Sequence, residues 1–142
     1  MNPFSELLAQ DVMNSPVLST SPESGVDRVE GEFVRHGVSA MPVIQDGQIV
    51  GIISRSDLML VPVLSATIVS GAMTAGITDR PRPVFLVRDL MTRHVVQCSP
   101  ETELPLVAAD MVHQHVHHVV VVCKDKPVGV ISSLDIVQLS VQ

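Results

Sequence analysis

Gly51-Ile52-Ile53-Ser54-Arg55-Ser56-Asp57 is written a second time as Gly129-Val130-Ile131-Ser132-Ser133-Leu134-Asp135. The two copies lie 78 residues apart, and that offset holds without a gap over 50 positions, from Asp11 against Asp89 to Leu60 against Gln138. Identical pairs include Met13/Met91, Val17/Val95, Pro22/Pro100, Glu23/Glu101, Val43/Val121 and Val50/Val128. Chance would supply roughly four identities in so Val-rich a composition. The chain is an internal duplication, and its function is to be sought in what the copies build together.

Working outward, each copy reads as β-α-β-β-α. In the first, Val17-Leu18 is a short extended piece, and Ser24 is the expected cap of a helix. Val26, Val29, Phe33 and Val34 give that helix one apolar stripe, and Gly37 lies just past its end. Met41 to Ile44 and Gln48 to Ile53 are two strands joined by Asp46-Gly47, a strong hairpin signal. In the second copy, Val95-Val96 is the extended piece and Thr102 the expected cap. Leu104, Val107, Ala108, Met111 and Val112 form the stripe, with Pro105 in the first turn. Strands follow at 119–122 and 128–131, then a closing helix at 134–139. The run from Val119 to Val122 is apolar on both faces, so it should be covered on both sides.

The expected organisation is a lead-in at 1–10, repeats at 11–60 and 89–142, and an apolar helix with its linker at 61–88. The fold class is mixed α/β (α+β), with the two repeats sharing a core, because a unit of about 50 residues buries too little surface to stand alone. Only 2% of the residues are aromatic against 46% hydrophobic, so that core is aliphatic. The net charge of −6 argues against a nucleic-acid backbone as partner. Cys98 and Cys123 stand in no metal or redox spacing and read as free thiols of a reducing cytoplasm. Residues 1–10 carry no signal-peptide pattern. Residues 58–78 hold no charge, which is long enough to span a bilayer. Pro62, Gly71 and Gly76 interrupt the run, and a span would part the repeats, so a covering helix is expected there, and Asp79-Arg80-Pro81-Arg82-Pro83 is a broken linker.

Two readings of the repeated stretch stand side by side. Ser-x-x-Asp caps a helix: the hydroxyl takes a free amide and the acid reaches back. Alternatively, the glycine allows a close approach, the helix start suits a phosphate, and the acid accepts two hydrogen bonds from a sugar diol. Together those would hold a nucleotide.

The ordered set of Asp-x-Met, Val, Ser-Pro-Glu, an amphipathic helix, Pro-Val and Gly-Ile-Ile-Ser-x-x-Asp resembles the cystathionine β-synthase (CBS) domain. The resemblance covers both repeats and implies two units packed sheet to sheet about a pseudo-twofold axis. It implies clefts that take adenosine compounds such as AMP or ATP, with Ser54 and Asp57 in one and Ser132 and Asp135 in the other. Pro16 and Val17, with His94 and Val95, match the adenine-contacting stretch. Val38, Met41 and Pro42 match it too, as do their partners Val116, Val119 and Val120. His117 and His118 occupy places that are often basic and reach phosphate. Val119-Val120 replaces Met41-Pro42 in the second repeat, and its motif carries Ser133-Leu134 where the first has Arg55-Ser56, so the clefts should differ in affinity.

His113, His115, His117 and His118 lie within six residues. They straddle a helix end and a strand start, so a polar loop is the plain reading and a metal site the alternative. The resulting expectation is a regulatory, non-catalytic adenine-nucleotide module without a resident cofactor or metal. It would be cytoplasmic, a homodimer through the helices after the motifs, and act on an unknown regulated protein with no membrane role. The alternatives are a structural interaction module with vestigial clefts and a histidine-cluster metal protein.

Overall fold

The computed structural model describes residues 3–74 and 84–141. The linker quoted above, Asp79 to Pro83, lies outside the described residues. A 3-10 turn at Pro3–Glu6 and α1 (Ala9–Val12) precede the first repeat. That repeat holds α2 (Val26–His36), β1 (Ala40–Gln45), β2 (Gln48–Ser54) and α3 (Arg55–Leu58). Next come α4 (Val61–Thr74) and α5 (Val87–Leu90). The second repeat holds β3 (Gln97–Cys98), α6 (Leu104–Gln114), β4 (His118–Cys123), β5 (Lys126–Ser132) and α7 (Ser133–Leu139).

The hairpins form for local reasons. Asp46 and Gly47 both have positive φ, at 52° and 75°. That is the turn whose twist matches the strands it joins. Lys124 and Asp125 make the same turn without glycine, at 52° and 63°. Each hairpin carries one register shift, at Val43/Ile44 and at Val121/Val122. Gly37 closes α2 in the left-handed conformation, and His115 does so for α6.

Several local expectations are corrected. Ser24 and Thr102 do not cap α2 and α6; Gly25 and Glu103 hold those places, with no side-chain cap. Ser24 instead pairs with the Ser21 hydroxyl, and Thr102 accepts from the Ser99 amide, so each serves the turn ahead of its helix. Val34 and Val112 leave the stripe, 77% and 70% exposed. Each follows the last buried residue by one position, which turns it about 100° away from the core. The first strands form two residues late: β3 pairs in parallel with β4, and its counterpart shrinks to one bridge from Thr20 to Val43. Pro62 sits inside the first turn of α4 rather than ahead of it.

The core has three parts. Val120 and Val122 face Ala40, Ile52 and Val130 between the two sheets, with Val17, Ile49 and Val95 packed against that layer. Val119 and Val121 point the other way, into the second repeat's core. The double-sided run is thus covered on both faces. The two outer cores are completed by exchange. Phe4, Leu7, Ala9, Val12 and Met13 pack with Leu104, Val107, Met111 and Ile131 of the second repeat. Phe85, Val87, Leu90 and Met91 pack with Val26, Val29, Phe33 and Ile53 of the first. Each leading segment therefore serves the other copy.

Backbone bonds lock the exchange. Ile52 and Thr92 exchange both their N–H···O bonds, each at 2.9 Å, and Asn14 and Val130 do the same at 2.9 and 3.3 Å. Asp11 and Asp89 accept from the amides of Leu8 and Leu86 at 2.8 Å, starting α1 and α5. The glycines of the repeated stretch lie under these crossings. A Cβ on Gly51 would stand 2.8 Å from Met91 Sδ and 2.9 Å from the Thr92 carbonyl. One on Gly129 would stand 2.6 Å from Met13 Sδ and 2.8 Å from Met13 Cβ. The close approach expected of a ligand is made by the other repeat's methionine. Gly51→Ala should cost about 1–3 kcal/mol by overpacking. Trimming Met91 to Ala in the same chain should not restore it fully, because the Thr92 carbonyl is pinned. Urea denaturation of both variants measures this.

Candidate functional site

Ser54 ends β2 and caps α3. Its Oγ accepts from the Asp57 amide at 3.4 Å, and Asp57 Oδ2 accepts from the Ser54 amide at 2.8 Å and from its hydroxyl at 3.0 Å. Ser132 and Asp135 repeat the box at the start of α7, at 3.1 and 2.8 Å. The capping reading therefore holds at both places. The amides of Arg55 and Ser133 are also committed, to the carbonyls of Ser39 and His117. Little of the phosphate site expected at these helix starts is left over. The second carboxylate oxygen is another matter. Among the described residues, no hydrogen bond uses Oδ1 of either Asp57 or Asp135. Both acids are only half-buried.

Each acid stands on the wall of a hollow between the repeats. Ser54 and Asp57 line a cleft of about 220 Å³ with Ile52 and Ser56, facing Thr92, His94, His115, Val116, His117 and His118. Ser132 and Asp135 line one of about 280 Å³ with Leu134 and Gln138, facing Asn14, Pro16, Val17, Val38, Ser39 and Arg55. Both are somewhat smaller than the usual small-molecule site. The pairing is crossed: each acid meets the leading stretch of the other copy. Val95 packs in the layer between the sheets instead. Met41 and Pro42 are buried on β1 and line neither cleft, and Val119 and Val120 are likewise core. Asn14 and Thr92 line the clefts without having been singled out in the sequence, and Arg55 and His115 line them although no nucleotide-binding role was expected of either. Asn14 and Thr92 each follow the duplicated methionine, a signal that was there to be read.

The clefts differ in their chemistry. Asn14 Nδ2 donates to Asp135 Oδ2 at 2.8 Å, whereas no such bond joins Thr92 to Asp57. Arg55 donates Nε to the Val38 carbonyl at 2.9 Å and Nη2 to the Phe33 carbonyl at 3.2 Å, which holds the guanidinium at the rim of the Asp135 cleft. On the other side, His94 Nε2 lies 2.9 Å from Gln114 Oε1. His118 Nε2 lies 3.2 Å from Ser39 Oγ, a contact across the repeats. Burial pushes the His118 pKa down, and neighbouring His117 adds to this, while Asp135 and Asp57 oppose it. Burial, with Asp110 nearby, lifts the Cys98 thiol to about 11, which leaves it protonated and unreactive at neutral pH. Among the described residues, no group of three or more His, Cys, Asp or Glu could hold a metal ion. None of their helices is long and apolar enough to cross a membrane.

The model of one family, the CBS domain, matches twice, over residues 9–63 and 87–141. The chain belongs to the CBS domain family. An A-adding tRNA nucleotidyltransferase of Geobacter sulfurreducens is 28% identical over 130 residues, covering 92% of this chain and 13% of that enzyme. The CBS domain pair of protein MJ0100, solved with 5′-methylthioadenosine and S-adenosyl-L-methionine, superposes with a TM-score of 0.71. Identity there is 20%, over 94% of this chain and 95% of that one. CBSX2, solved with AMP, gives 0.66 at 24% identity over 95% and 96%. These structural likenesses show that the CBS pair is built here in its two-repeat form.

The lowered pKa of His118 has a sign. The unfolded chain takes the proton more readily than the folded one. His118 therefore leaves stability unchanged above its ordinary pKa of about 6.5 and subtracts from it as pH falls below. His118→Asn should flatten the loss of stability between pH 6.5 and 5, read as the denaturation midpoint against pH and compared with the parent chain.

Proposed function

We propose that this CBS pair is a regulatory module that takes an adenine nucleotide of the AMP or ATP type into the seam between its repeats. Binding there biases a partner protein or the module's own assembly, in the cytoplasm and without catalysis. The observation that carries the reading is the crossed pairing in the clefts: Asp57 faces His94 and Val116, and Asp135 faces Pro16, Val17 and Val38. A ribose diol can bond the spare oxygen of the acid while its base lies on the apolar stretch of the other copy. A ligand held from both sides stabilises the closed seam by its difference in affinity between closed and open states. MJ0100 and CBSX2, which share this fold, were solved with adenosine compounds.

Thermal denaturation with adenosine, AMP, ATP and S-adenosylmethionine tests this. A compound at 100 times its dissociation constant should add about 2.7 kcal/mol. Asp57→Ala and Asp135→Ala should each lower the ligand-free stability by about 1 kcal/mol, through loss of the cap. Each should also silence one cleft, and the double variant should respond to nothing. A second reading, a structural module with unused clefts, is favoured by the engagement of both acids in caps. It is the outcome if no compound shifts the parent chain.

The same reading includes a homodimer. Val34 and Val112 occupy one repeat position, and Met59 and Val137 another, and all four are well exposed; Met59 is 75% exposed. Leu60 and Val63 extend the first patch onto α4. Two apolar patches at equivalent repeat positions suit a self-complementary contact. Met59→Glu with Val137→Glu should give a monomer of unchanged helix content in sedimentation and circular dichroism. A parent chain that is monomeric at every concentration would remove the dimer from the reading.

A further inference from the structure

The two clefts are built from equivalent positions but carry different charges. Arg55 and Ser133 are equivalent, and Arg55 lines the cleft of Asp135. Two of its nitrogens are tied to carbonyls, while among the described residues no hydrogen bond uses Nη1. Its charge is fixed at every pH of interest. That cleft therefore balances one carboxylate with one permanent cation. Among the described residues, no arginine or lysine lines the Asp57 cleft. It has imidazoles instead: His94 from the leading stretch, His115 and His117 from the loop before β4, and His118 on β4. Asp57 on α3 faces them, and Asp135 on α7 also acts on His118. With its histidines neutral, this cleft presents a net negative wall, which opposes a phosphate.

We propose that the clefts sort adenosine compounds by charge. The Asp135 cleft takes those bearing a phosphate. At neutral pH the Asp57 cleft takes those without one, a nucleoside or one with an uncharged or cationic 5′ substituent. Arg55 is the specificity-determining residue, because its Nη1 and the fork it belongs to suit phosphate oxygens. This rests on the nucleotide reading above and adds to it which ligand enters which side.

Calorimetric titration of the full chain with AMP and with adenosine decides the matter. At pH 8, the Asp57→Ala chain, with only the Asp135 cleft intact, should bind AMP at least tenfold tighter than adenosine. Adding Arg55→Gln should abolish that preference, lowering AMP affinity at least tenfold more than adenosine affinity, while Arg55→Lys should keep part of it. The Asp135→Ala chain should bind adenosine at least as tightly as AMP at pH 8. Arg55 also holds the end of α2, so a variant that fails to fold is answered from the other side. Ser133→Arg, at the equivalent place in the Asp135→Ala chain, should create an AMP preference at pH 8. Equal preference in both clefts, or an AMP preference untouched by Arg55→Gln, overturns the sorting alone. Absence of binding by either compound to any chain overturns the nucleotide reading and the sorting with it.

Discussion

The crossing of a leading segment over a glycine is the contact on which the rest depends. At Gly51 and again at Gly129, the chain ahead of the opposite repeat runs so near the strand that a single methyl group has no room. Paired backbone bonds beside each glycine hold the crossing in register. From that contact follow the closed cores, since the residues on either side of the crossing fill the gap beneath the opposite helix. From it also follow the clefts. The residues immediately after each crossing, Asn14 to Val17 and Thr92 to His94, are laid along the seam, opposite the acid of the other copy. Pack the segments on their own repeats instead, and both hollows lose a wall.

Much of this was legible in the sequence because duplication is a strong signal. The hairpins, the capped turn at Ser-x-x-Asp and the two-sided burial of β4 follow from local rules that each copy states independently. The helix caps failed because Ser24 and Thr102 sit in turns with nearby partners of their own, and propensity does not choose between a turn and the helix after it. Val34 and Val112 failed because an apolar residue at the edge of a stripe has no internal mark of which side it faces. The exchange of leading segments was not legible at all. The pattern at 4–13 reads as an ordinary apolar lead-in whichever core it enters.

The candidate site divides in the same way. Asp57 with His94, His117 and His118, and Asp135 with Pro16, Val17 and Val38, line the same clefts, places for which the resemblance to the CBS domain had marked them. Met41 and Pro42 do not, since alternation on β1 turns Met41 into the core below the sheet. The glycine was read correctly as a place of close approach and wrongly as to what approaches. Arg55 against Ser133 was legible as a difference between the two motifs, but not which cleft it serves, because it sits in the motif of one repeat and lines the cleft that carries the acid of the other.

The exchange also sets the order in which the molecule can be made. Ala9 bonds the carbonyl of Thr102, 93 residues further along, and Met13 packs against Gly129. Contacts at such separation must pay their loop-closure entropy before they return anything, and domains dominated by them fold slowly. During synthesis, residues 4–13 leave the ribosome well ahead of the core they complete. Their apolar side chains wait in solvent until the second hairpin is finished, so the earliest residues of this pair are among the last to reach their place.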